Sequence, residues 1–73
     1  MQRVKIILET QRDVMEFVNI ANTISEDVML VDGSWNRVSA KSIMGCLYSL
    51  EFQELFVEST YPNLSSKFMK FLA

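Results

Sequence analysis

The sequence predicts an α+β fold, an open-faced sandwich in which a four-stranded antiparallel sheet carries three helices on one face in the order βαββαβα. Three observations lead there. Apolar residues alternate at a period of two in segments 3–9, 35–40 and 54–59, and 28–31 is a short, wholly apolar run. They recur at helical spacing in 11–24, 42–50 and 63–72. Polar turn residues separate the segments, and the two middle strands are joined by a turn alone, so they form an antiparallel hairpin. Helices with one apolar face each, alternating with such strands, bury that face against one side of a single sheet.

In the first segment Val4, Ile6 and Leu8 alternate with Lys5 and Glu9, with Ile7 as the interruption. Thr10 then stands three residues before Asp13, the spacing of a helix N-cap with an acidic partner at the third helical position. Val14, Phe17, Val18, Ala21 and Ile24 form one helical stripe, which places a helix at 11–24. Ser25-Glu26-Asp27 breaks it. Val28–Val31 and Trp35–Ala40 are strands around an Asp32-Gly33-Ser34 turn. Ser42 opens a second helix at 42–50 with Ile43, Leu47 and Leu50 toward the sheet and Met44 and Tyr48 outward, and Gly45 weakens its first turn. In the last strand Leu55 and Val57 oppose Phe56 and Glu58. Tyr61-Pro62 ends that strand, and Asn63 caps a final helix with Leu64, Phe68, Phe71 and Leu72 on one side.

Composition bounds the function. A chain of 73 residues is a single domain, 1–73, with a small core. Its 49% hydrophobic content, with five Phe and five Met, is that of a packed protein rather than a disordered one. The net charge of −2 and the scattered placement of seven Lys and Arg argue against nucleic acid as a partner. No apolar run reaches bilayer-spanning length, and Met1–Lys5 has no cleavage-site chemistry, so neither a membrane segment nor a signal peptide is expected. The single cysteine, Cys46, excludes an internal disulfide and fits a reducing cytoplasm. In that setting the Asn63-Leu64-Ser65 glycosylation triplet is accidental.

There is no histidine in the chain. That removes the commonest metal ligand and the one side chain whose ordinary titration falls near neutrality. Cys46 has no second Cys or His to form a metal site or a nucleophilic pair and is expected as a small buried hydrophobe. The nine carboxylates show no pairing that calls for acid–base catalysis and read as a solvated face. No metal, no cofactor and no enzymatic activity are expected. Trp35, beside the hairpin turn, is expected partly buried along the sheet, with an interface anchor as the other reading.

The run Lys41-Ser42-Ile43-Met44-Gly45, with Val38 ahead of it, resembles the regulatory serine motif that opens the second helix of the HPr family, the histidine-containing phosphocarriers of the bacterial sugar phosphotransferase system. The order of elements over nearly the whole chain resembles that family too. Two departures stand out. The Gly-x-His-Ala-Arg-Pro-like active loop is missing, and Thr10 falls about where the histidine would stand, with Arg12 about where the family's arginine would be. A phosphothreonine is a stable ester, so Thr10 cannot relay a phosphoryl group as a labile phosphohistidine does. What the resemblance implies is a non-catalytic relative in the cytoplasm that acts by protein–protein binding, linked to sugar transport or carbon control. Ser42 would be a phosphosite for an HPr-type kinase, and a kinase or transcriptional regulator would be the partner. Met44 and Tyr48 would form a docking patch, with Arg12 and Lys41 reading an acidic partner or pairing with phosphoserine. The other reading is an inert interaction or structural domain in which Ser42 serves only as a helix cap. An enzyme or small-molecule sensor on the same scaffold would need a pocket with converging polar groups.

Overall fold

A computed structural model describes residues 1–33 and 36–73, so the expectations placed on Ser34 and Trp35 lie outside the described residues. The elements are β1 (Gln2–Ile6), α1 (Gln11–Ala21), β2 (Val28–Val31), β3 (Arg37–Ser39), α2 (Ile43–Tyr48), β4 (Leu55–Ser59) and α3 (Leu64–Lys67). Short 3₁₀ turns at Ser49–Glu51 and Met69–Phe71 continue α2 and follow α3. The sheet has four strands in the order β1-β4-β2-β3, and every neighbouring pair is antiparallel. This is the predicted open-faced βαββαβα sandwich.

The period-two pattern fixes which side each strand buries. Ile6, Val28, Leu30, Leu55 and Val57 face the helices and are buried with Val14, Phe17, Val18, Ala21 and Ile24 of the α1 stripe. Leu64, Phe68 and Phe71 close the core from the C-terminal end. The Phe17 ring lies 4.8 Å from that of Phe68 and 5.9 Å, edge-on, from that of Phe71. The open face carries charge instead. Glu58 sits between two cations, with Arg3 Nε at 3.6 Å and Arg37 Nη1 at 3.2 Å. The Arg3 guanidinium also lies over the Phe56 ring, 4.2 Å from its centre.

Element ends differ from the sequence reading for local reasons. β1 stops at Ile6 because the Ile7 N–H donates to the Phe71 carbonyl rather than to the sheet. Thr10 does cap α1. Its hydroxyl accepts from the Asp13 N–H at 3.1 Å, and the Asp13 carboxylate accepts from the Thr10 and Glu9 N–H groups. At the other end α1 closes at Ala21, three residues early. The Thr23 and Ile24 N–H groups donate only three residues back, to the Ile20 and Ala21 carbonyls, and the Thr23 hydroxyl also donates to the Ile20 carbonyl, so the four-residue ladder ends there. The C-terminal helix is one turn plus a 3₁₀ turn, and Leu72 is 42% exposed rather than part of the core stripe. The chain there turns to lie along β1, with Leu72 bridging Ile6 and the Ala73 N–H donating to the Lys5 carbonyl.

Glu16 ties α1 to this C-terminal segment through Lys70 and pairs with Arg12 one turn earlier at 3.4 Å. The hydrogen bond from Lys70, followed by the charges of Lys70 and Arg12, holds the Glu16 carboxyl below its ordinary 4.5. A carboxyl depressed in the folded state stabilises it above the unfolded value and loses that contribution as pH falls through the folded value. The midpoint of urea unfolding for Glu16→Gln should therefore trail the parent by a constant margin above pH 4.5. That margin should close on acidification, and one unchanged down to strongly acidic pH would contradict the pairing.

Candidate functional site

The residues singled out around Ser42 are assembled by α2. Ser42 is the N-cap, with an extended backbone at φ −103° and ψ 118°, and its hydroxyl accepts from the Gly45 N–H at 3.3 Å. Its own N–H donates to the Ser39 carbonyl, and its carbonyl accepts from the Cys46 N–H. The serine is exposed at the surface.

The helix faces the body of the protein with small residues. Cys46 and Ser49 are fully buried. A Cβ built on Gly45 would stand 3.1 Å from the Val38 Cβ, closer than two such carbons normally come. The glycine therefore permits a tight approach of α2 to β3, which accounts for a residue of poor helix propensity in the first turn. The Cys46 thiol lies 3.5 Å from the Ser39 and Ala40 carbonyls, and burial raises its pKa to about 11. The Ser49 hydroxyl donates to the Cys46 carbonyl.

This reverses part of the expected helix orientation. Ile43 and Leu50 do not point into the core but are 40% and 36% exposed, while Leu47 packs at its margin. The physical reason is the short distance to β3, which admits Gly, Cys and Ser and leaves the large apolar side chains outside. Met44 and Tyr48 are the most exposed of them, at 75% and 58%. The ridge continues past the helix: the Tyr48 ring meets the Phe52 ring edge-on at 5.6 Å between centres. Beyond it opens a groove of about 480 Å³, lined by Tyr48, Phe52, Asp32, Asn36, Glu51 and Glu54. Glu51 and Phe52 were missed by sequence reasoning, although their spacing of three and four from Tyr48 continues the same face.

Of the other expected site residues, Lys41 lies at this end of the helix pair and Thr10 and Arg12 do not. The carbonyl of Lys41 accepts from the Asn22 side chain at the C-terminal end of α1. Thr10 and Arg12 stand at the opposite end of that helix, some ten residues or about 15 Å of axial rise away. Arg12 is paired with Glu16, and Thr10 is engaged in the capping box. The structure therefore joins Lys41, Ser42, Met44 and Tyr48 on one surface and leaves Thr10 and Arg12 outside it.

No protein-family model, curated protein or solved structure matches this chain. The HPr resemblance accordingly rests on Lys41–Gly45 and the order of elements. Among the described residues no group of three or more His, Cys, Asp or Glu side chains is placed to hold a metal ion. No helix there is long and apolar enough to cross a membrane.

Proposed function

We propose that this chain is a non-catalytic, HPr-like binding domain of the cytoplasm that acts through the α2 surface, with Ser42 as a phosphorylation switch in carbon-source control. The observation that carries this reading is the exposure of Met44 and Tyr48 on a helix whose N-cap is a solvent-facing serine. A large apolar pair left outside while Cys46 and Ser49 fill the interior is the composition of a contact surface, and methionine repacks readily against different partners. A phosphate on Ser42 would meet the unpaired backbone N–H groups and positive end of the helix beginning at Ile43. It would bring charge to the rim of the apolar ridge. Thr10, engaged as a helix cap and chemically unsuited to a labile phosphoryl adduct, has no relay role in this reading.

Intact-mass measurement after incubation with an HPr-type kinase and ATP tests the switch. One added phosphate is expected on the parent and none on Ser42→Ala. Phosphorylated protein should then capture a transcriptional regulator that the unmodified protein and the phosphorylated Met44→Asp variant do not. A parent chain that takes up no phosphate removes the switch. The remaining reading is then an interaction domain with Ser42 as a plain cap, which its hydrogen bond from Gly45 favours.

A further inference from the structure

Of the seven Lys and Arg, five are already in ion pairs within the chain: Arg3, Lys5, Arg12, Arg37 and Lys70. Among the described residues Lys41 and Lys67 form none. Lys41 stands immediately ahead of α2, and Glu51, a carboxylate that also has no ion pair among the described residues, stands at the end of its 3₁₀ continuation. Between them lie Met44 and Tyr48, one helical turn apart and both exposed. Along this stretch the order is cation, methionine, tyrosine, carboxylate, at positions 41, 44, 48 and 51. Lys41 stands three residues before Met44 and Glu51 three residues after Tyr48. The row is its own complement when a second row is laid against it in the reverse direction.

We propose that the α2 face is an interface between two copies of this chain, packed antiparallel about a twofold axis that crosses the helix between Met44 and Tyr48. An isologous contact requires that each residue meet a partner that it also presents in return. Here Met44 meets the second copy's Tyr48, and Lys41 meets its Glu51, each contact occurring twice. The pairing covers the largest exposed apolar residues of the α2 face and gives Lys41 an ion pair like those of its five counterparts. Ile43 and Leu50, also exposed, flank the central pair. The apolar patch of one short helix is small beside the roughly 800 Å² per partner of a standard stable interface, so the dimer is weak and concentration-dependent. The inference rests on the reading of this face as a contact surface and names its occupant.

Sedimentation velocity from micromolar to millimolar protein tests it. The parent should move from monomer toward dimer across that range. Lys41→Glu and Glu51→Lys each replace two attractive contacts by two repulsive ones and should weaken association about tenfold. The double variant K41E/E51K restores both pairs with reversed sign and should recover most of the loss. That rescue within a single chain is a signature that neither a different interface nor general destabilisation would produce, and circular dichroism of each variant confirms folding. A parent that stays monomeric throughout, or a double variant no better than the singles, overturns the dimer. If in either case Met44-dependent capture of another protein persists, the contact-surface reading stands without self-association; if that capture is also absent, both fall.

Discussion

Replacing Phe17 by alanine is expected to bring the protein to the edge of unfolding. Phe17 is fully buried at the centre of the α1 stripe, and its ring meets both Phe68 and Phe71. Truncating a buried phenylalanine costs about 3–5 kcal/mol through lost burial and the cavity left behind. Domains of this size are stable by about 4–11 kcal/mol in total, at the usual contribution per residue. The loss is also shared by three elements, because the ring links α1 to the C-terminal segment that covers β1. The urea midpoint should fall by an amount equivalent to several kcal/mol with little change in slope. A fall equivalent to less than about 1 kcal/mol would mean that α1 does not pack as described.

Cys46 supplies a second, independent readout with a large effect. Its thiol is fully buried, and desolvation raises its pKa from 9.0 to about 11. Since the thiolate is the reacting species, the shift alone lowers the reactive fraction near neutrality about a hundredfold, before any shielding by α2 and β3. Labelling by an aromatic disulfide reagent should be slower than in urea-unfolded protein by more than that factor. It should also proceed through opening of the structure, so Phe17→Ala should speed it in step with its loss of stability. Labelling of the native parent at the unfolded rate would place Cys46 at the surface and reverse the assigned orientation of α2.

That orientation marks where the sequence was harder to read. In α1, four apolar residues at helical spacing, Val14, Phe17, Val18 and Ala21, identify the buried side without ambiguity, and each of them is buried, as is Ile24 just beyond the helix. In β4 the alternation of Leu55 and Val57 with Phe56 and Glu58 does the same. α2 offers large apolar residues over much of its surface, and recurrence at i, i+4 and i+7 selects Ile43, Leu47 and Leu50. The side that faces inward is chosen by clearance from β3, a tertiary quantity, and it falls to Gly45, Cys46 and Ser49. Of the candidate site, Ser42, Met44 and Tyr48 were legible because a cap and an i,i+4 pair are local features. Arg12 was grouped with Lys41 by charge alone, and the length of α1 separates them.

The segment after Phe71 gives the sheet two unequal borders. Along β1, the Phe71 carbonyl accepts from the Ile7 N–H and the Ala73 N–H donates to the Lys5 carbonyl, with Leu72 paired opposite Ile6 between them. At the far border β3 is three residues long and bears Arg37. A long bare border is a template on which foreign chains add strand by strand toward fibrils; one covered by residues 71–73 and one too brief to nucleate growth deny them that start. Neither border of this sheet therefore offers a long open edge for endless edge-to-edge accretion.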